Sequence, residues 1–313
     1  MTLPPAVVCL FPGQGSQRVG MGHDLSETYP EARRTFAEAD DCLGTSLSRL
    51  CFDGPADRLA LTENAQPAIL AASVASYRVL QARTGMTPLA VAGHSLGEWS
   101  ALVATGALSL SDAVRSVRER GRLMQSAVPV GEGAMAALLG IDAEAAAALC
   151  ADAAQGQVLT PANLNGGGQV VIAGQTAAVD RAVALAGQRR IRAQRLAVSA
   201  PFHCPLMAPA AAGLRRVLAG VVFHDPVIPV VSSVDGEPRT RGSDLGTLLV
   251  EQVTAPVQWE AAARRLADWQ PTLALEVGPG RALTGLMKRI LPALPTQPAG
   301  DVEGVARVVE AFA

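Results

Sequence analysis

Gly93-His94-Ser95-Leu96-Gly97 places a serine two residues from a glycine on either side, between an apolar run and a helix-forming run. In that setting a G-x-S-x-G turn is sharp enough to raise a serine hydroxyl above a sheet as a nucleophile. The N–H of Leu96, opening the helix that follows, is then free to hold negative charge on a substrate oxygen. An ordinary turn with Ser95 as helix cap is the plainer reading. A serine nucleophile needs a base, and the chain has four histidines. His94 precedes the serine at a strand end and so points the other way. His23 and His224 lie beside Asp24 and Asp225 in loop-like sequence, as solvated surface histidines do. That leaves His203, in the proline-bracketed loop Ser199-Ala200-Pro201-Phe202-His203-Cys204-Pro205, as either the base or a structural histidine.

A second site feature comes from a helical wheel over residues 113–125. Arg115, Arg118 and Arg122 share one face, whereas Arg120 falls with Ala113, Val117 and Met124 on the apolar face. A guanidinium there needs an anion. An internal Asp or Glu would supply one; so would the carboxylate of a substrate gripped bidentately. Gly13-Gln14-Gly15 is another loop whose N–H groups could meet an oxyanion, but it lacks the third glycine of a dinucleotide fingerprint and is not a Walker A loop.

The elements that must carry these residues alternate. Apolar runs at 6–11, 89–93 and 272–277 each end in a Gly-rich turn, and helical stretches are read at 68–83, 98–104 and 282–290. Alternation of this kind predicts a parallel sheet covered on both faces. Strands read at 134–140, 158–164, 169–174 and 191–198, with helices at 143–153 and 177–186, give the order β-α-β-β-α-β of a split ferredoxin-like unit. Asn165-Gly166-Gly167-Gly168 reads as its hairpin connection. The expected architecture is an α/β fold: a large α/β-hydrolase-like domain with a parallel sheet, residues 1–127 and 200–313, and an inserted ferredoxin-like small domain, residues 128–199. His203 would sit where the chain leaves the insert, a place where clefts form.

Composition narrows the function. With 313 residues, 49% of them hydrophobic, the chain can bury a large core. A net charge of −2 provides no overall field for nucleic acid or an anionic membrane, so neither is an expected partner. Five scattered cysteines without CxxC spacing suit neither a disulfide framework nor a zinc site, and a reducing cytoplasm is the simplest setting. No apolar run reaches the roughly 18 residues of a membrane span, and no signal peptide is read at the N-terminus. Arg189, Arg190, Arg192 and Arg195 form a basic cluster that reads first as a solvated face.

Together, Phe11-Pro12-Gly13-Gln14-Gly15-Ser16-Gln17, Gly93-His94-Ser95-Leu96-Gly97-Glu98, Arg120-Gly121 with Met124-Gln125, Phe202-His203, Gln252 with Pro256-Val257-Gln258-Trp259, and Glu276-Val277-Gly278-Pro279-Gly280 resemble the acyltransferase family of fatty acid and polyketide synthesis. The likeness runs from about residue 7 to 290. It implies ping-pong transfer of a malonyl group from malonyl-CoA to acyl carrier protein through a malonyl-serine, with Ser95 as nucleophile and His203 as base. It further implies N–H groups of Gln14 and Leu96 as oxyanion hole, Arg120 as the carboxylate-binding arginine, and a backbone carbonyl near Gln252 orienting the histidine. Asn163 is a possible substrate contact. No metal or prosthetic group is expected, since CoA enters as substrate, and a monomer is expected. Leu96 and Phe202 match members that take malonyl groups. Trp99 stands where tyrosine is common, and Phe202 where some stand-alone fatty acid synthesis enzymes carry serine, which keeps free-standing polyketide loading as the alternative. A serine hydrolase is the remaining enzyme reading; it would normally place an acid between serine and histidine and would have no use for Arg120.

Overall fold

The computed structural model describes residues 4–198 and 200–313; Ser199 of the His203 loop lies outside them. Among the described residues ten strands form two sheets. In the order of the chain these are β1 (Val7–Phe11), β2 (Ala90–Gly93), β3 (Gly133–Leu139), β4 (Leu159–Gly166), β5 (Gln169–Gln175), β6 (Arg192–Arg195), β7 (Val230–Val231), β8 (Pro238–Arg239), β9 (Leu273–Glu276) and β10 (Thr296–Pro298).

The larger sheet runs β10-β9-β1-β2-β7-β8, parallel except for β8. β1 is buried at all five positions because both faces are covered. Its Val7, Cys9 and Phe11 enter one apolar cluster and its Val8 and Leu10 another, as the two-residue period of a strand requires. Phe11 lies opposite Gly93 and Leu10 opposite Glu276. That register brings the carboxyl ends of β1, β2 and β9 together, so the Pro12–Gln17 turn, Ser95 and the Gly278–Gly280 turn share one edge of the sheet. This edge is where parallel α/β sheets present their sites.

The helix read from residue 68 begins earlier, at Thr62, and runs to Thr84. Pro67 obscured its start, because proline removes one backbone donor from a helix. Burial of nearly the whole span Thr62–Leu80 offsets that loss.

The smaller sheet is antiparallel throughout, in the order β4-β5-β3-β6. Ala134, Ala136, Leu138, Val170 and Ile172 pack under the Ala143–Ala154 and Thr176–Gln188 helices. Met135, Val171 and Ala173 turn the other way, into the core of the larger sheet. Gly167 and Gly168 connect β4 to β5 with φ of 57° and 75°, the left-handed geometry of a two-residue hairpin. β4 is fastened to the rest of the chain at Val257, whose carbonyl accepts from Leu164 N–H and whose N–H donates to Ala162 O, both at 2.8 Å. β6 is shorter than the 191–198 run read for it. Leu196 still donates to Met135 O at 2.9 Å, after which residues 196–198 leave the sheet to wall a cavity.

Among the described residues no helix is long and apolar enough to cross a membrane. All five cysteines are free thiols.

Candidate active site

Ser95 occupies φ 52°, ψ −107°, a conformation that L-residues adopt only when their surroundings enforce it. The flanking glycines make the turn possible. A Cβ on Gly93 would lie 1.9 Å from the carbonyl carbon of Gly97, and one on Gly97 would lie 1.9 Å from Phe11 O. With both present, His94 N–H bonds Phe11 O at 3.0 Å and the Leu96–Ala104 helix starts directly beneath the serine. The His94 ring is not in line with the serine as a base: its Nε2 is 2.9 Å from Asn165 Oδ1 and its ring packs by Trp259, but, against the expectation that it points the other way, His94 also lines the cavity on which Ser95 opens.

Ser95 Oγ stands 2.7 Å from His203 Nε2 across 108 residues of sequence. His203 Nδ1 is 2.8 Å from the backbone carbonyl of Gln252. A carbonyl only accepts, so Nδ1 carries the proton and Nε2 is left to receive one from the serine. Burial, reinforced by the charge of Arg120, lowers the imidazole pKa to about 3, so the ring is neutral at physiological pH. His23 and His224 are elsewhere: His23 sits beside Glu27 on the surface, and His224 is exposed.

Arg120 is 2% exposed, on the buried side of the Leu110–Ser126 helix. Nη1 donates to Gln66 Oε1 at 2.8 Å, and Nη2 donates to Gln252 Oε1 at 2.9 Å and to Ser95 Oγ at 3.1 Å. Nε has no partner among the described residues. These partners are amide and hydroxyl oxygens, so an acid bonded directly to Arg120 is ruled out among the described residues. Glu98 attracts it through space without bonding it, the Gln252 amide being hydrogen-bonded to both. Burial lowers the guanidinium pKa to about 10, which leaves it charged at neutral pH.

Ser95, His203 and Arg120 open on a cavity of about 520 Å³, whose walls include Gln14, Thr62, Leu96, Met135, Asn163 and Phe202. Leu96 is the first helical residue, so its N–H has no intrahelical acceptor. The Gln14 side chain is held by Thr62 Oγ1 at 3.2 Å. Asn163 Oδ1 is buried at the cavity without a hydrogen-bond partner among the described residues. Gln252, 1% exposed, stands behind Arg120 and His203 rather than on the cavity wall. Gln66 and Ser233 escaped the sequence reading, and Glu98 entered it only as the last residue of the serine motif, with no role. Gln66 and Glu98 lie on faces of apolar helices, and their mates are 54, 135 and 154 residues away, so no local spacing could reveal them.

The geometry equips a hydroxyl with a neutral base, a helix N-terminus for an oxyanion, and a fixed positive charge for an anionic group of the substrate. The acyl transferase domain family matches residues 8–303. The malonyl CoA-acyl carrier protein transacylase of Escherichia coli K12 is 48% identical over 304 residues, covering 96% of this chain and 98% of that protein. The crystal structure of malonyl-CoA:acyl carrier protein transacylase from Xanthomonas oryzae superposes with a TM-score of 0.96 at 46% identity, covering all of both chains. A malonyl-transacylase solved in complex with its type II polyketide synthase acyl-carrier protein superposes with a TM-score of 0.94 at 44% identity, covering 97% of this chain and 99% of that one. The chain belongs to the acyl transferase domain family, among the malonyl-CoA–acyl carrier protein transacylases.

Proposed function

We propose that the chain moves a malonyl group from malonyl-CoA to the phosphopantetheine thiol of acyl carrier protein in two half-reactions, for fatty acid synthesis. Ser95 Oγ attacks the thioester carbonyl as its proton passes to His203 Nε2. The N–H groups of Gln14 and Leu96 hold the resulting oxyanion. Collapse breaks the C–S bond, and the CoA thiolate takes the proton from His203, leaving malonyl-Ser95. The carrier thiol then gives its proton to His203 and attacks the ester; Ser95 leaves and regains that proton. Arg120 holds the free carboxylate of the malonyl group throughout. None of these steps calls for a metal or prosthetic group bound to this chain.

The observation that carries the proposal is the charged, buried Arg120 guanidinium 3.1 Å from the hydroxyl that His203 also contacts. A serine hydrolase of neutral esters would gain nothing from such a charge, and the acceptor on Nδ1 is a carbonyl rather than an acid. The fold assignment that goes with this reading is an α/β-hydrolase-like domain, residues 1–127 and 200–313, with a ferredoxin-like insert at 128–199 acting as a monomer. The order β4-β5-β3-β6 supports the insert. Polyketide carrier loading is the second reading, favoured by Phe202 on the cavity wall and by the likeness to the transacylase solved with a polyketide carrier protein.

The test is intact-protein mass after brief mixing with malonyl-, acetyl- or methylmalonyl-CoA. Wild type is expected to gain a malonyl adduct that Ser95→Ala lacks. Better loading with acetyl or methylmalonyl would reject the substrate. Transfer from the malonyl-enzyme to a fatty acid carrier and to a polyketide carrier, run side by side, separates the two pathway readings.

A further inference from the structure

Glu98 is 2% exposed, yet it takes no part in the reaction described above. Its Oε2 accepts from Ser233 N–H at 3.1 Å, Ser233 Oγ–H at 2.7 Å and Gln252 Nε2–H at 2.7 Å. An N–H and an amide NH2 can only donate. Ser233 Oγ itself accepts from Gln252 Nε2 at 3.0 Å, so its own proton is directed to Glu98. Each of these partners requires an unprotonated Oε2.

The same Gln252 amide presents Oε1 to Arg120 Nη2 and Nε2 to Ser95 O, while its backbone carbonyl takes the proton of His203 Nδ1. An amide has two orientations that differ by exchanging oxygen and nitrogen. A flip would set an NH2 against the Arg120 guanidinium and a carbonyl against the Glu98 carboxylate, two like-for-like contacts in a buried site. Both neighbours therefore select one orientation, and through it the position of Nη2 beside the serine.

We propose that Glu98 is a positioning residue for malonyl selectivity: its carboxylate locks the Gln252 amide, which aims the Arg120 guanidinium at the acyl group on Ser95. This rests on the proposed role of Arg120 toward the malonyl carboxylate. The prediction concerns discrimination rather than overall rate, because acetyl-CoA offers no carboxylate for Arg120 to hold.

The experiment compares malonyl-CoA with acetyl-CoA by stopped acyl-enzyme formation and intact mass, in wild type, Glu98→Ala, Glu98→Gln and Ser233→Ala. Glu98→Ala is expected to lower the malonyl-to-acetyl ratio of loading rates at least tenfold. Ser233→Ala should lower it by a smaller factor, and this variant carries the test if Glu98→Ala does not fold. Glu98→Gln should recover most of the ratio, since its amide oxygen can still accept from Gln252. Placing Glu98→Ala on an Arg120→Ala background should change the ratio little further. A ratio equal to wild type in folded Glu98→Ala or Ser233→Ala, or a Glu98→Gln ratio as low as that of Glu98→Ala, would overturn the proposal. If wild type itself fails to prefer malonyl, the reading of Arg120 fails instead, so the two failures are distinguishable.

Discussion

The chemistry at the residue scale turns on how two cations, one potential and one permanent, share a small buried volume. Arg120 is one reason His203 holds a proton poorly, so the base remains free at pH values where an exposed imidazole would be protonated. Acyl-enzyme formation should accordingly stay level from pH 7 down to pH 5, with no inflection near 6.5, when measured as kcat/KM for loading. Replacing Arg120 by Ala should bring an acid limb back toward ordinary histidine behaviour, and should weaken malonyl loading about 10- to 100-fold as a charged hydrogen bond is lost. His203→Ala should slow loading by about 10²- to 10⁴-fold, the usual worth of a positioned base. The same depression has a stability consequence. Between pH 6.5 and about 3 the unfolded chain binds a proton at this histidine that the folded chain does not. Folding stability contributed by the neutral ring is therefore present above pH 6.5 and is lost as pH falls toward 3. Denaturant midpoints at pH 7 and pH 5 should differ less in His203→Gln than in wild type.

At the scale of elements, the site depends on backbones brought closer than side chains permit. The Ser95 turn works because β2 ends in Gly93, the following helix begins over Gly97, and the end of β1 lies directly against Gly97. Gly97→Ala would drive a methyl into Phe11 O, and no rotamer relieves a clash of backbone against Cβ. A loss of about 3 kcal/mol or more is expected by denaturant titration, with loading falling further than stability alone explains. Glu276 plays a comparable part at the neighbouring strand. It is fully buried and accepts from Leu283 N–H, Thr284 N–H and Thr284 Oγ–H, which fastens the Ala282–Ile290 helix to the end of β9. Burial raises its pKa, whereas those donors lower it.

The whole molecule decides access and partner contact. The cavity is closed on one side by residues of the larger sheet's edge and on the other by Met135, Asn163 and residues 196–198 from the smaller sheet and the strand leaving it. The basic cluster after the Thr176–Gln188 helix ends at Arg195, next in sequence to the residues 196–198 that wall the cavity, and is the surface to test for carrier contact. Within it, Arg189 pairs with Asp152 and Arg195 with Asp180, so much of its charge is balanced by the protein's own acids. Arg190 and Arg192 form no ion pair among the described residues and are the better candidates for an acidic carrier. Arg190→Ala with Arg192→Ala should raise the KM for carrier and flatten its salt dependence while leaving malonyl loading intact; unchanged carrier kinetics would remove this surface from consideration.

Much of this was legible in the chain because it is local. The Gly-Ser-Gly turn, the apolar runs that end at glycines, the β-α-β-β-α-β order and the displaced Arg120 are all short-range patterns, and backbone sterics or helical periodicity fix their meaning. Sequence also narrowed the base to His203 by elimination. Its pairing with Ser95 was left to tertiary structure, because a hydrogen bond across 108 residues leaves no spacing to read. The fold likewise chose between an internal acid and an open charge for Arg120, and it assembled Gln66, Glu98, Ser233 and Gln252 around the guanidinium. Of these, Gln252 and Glu98 entered the linear reading only through the family motifs, and Gln66 and Ser233 not at all, since a linear reading assigns such polar residues to ordinary helix faces and loops. Their meaning arises only after burial removes water and leaves the side-chain donors of Arg120 and Gln252, among the described residues, no acceptors but this group and the backbone and hydroxyl of Ser95.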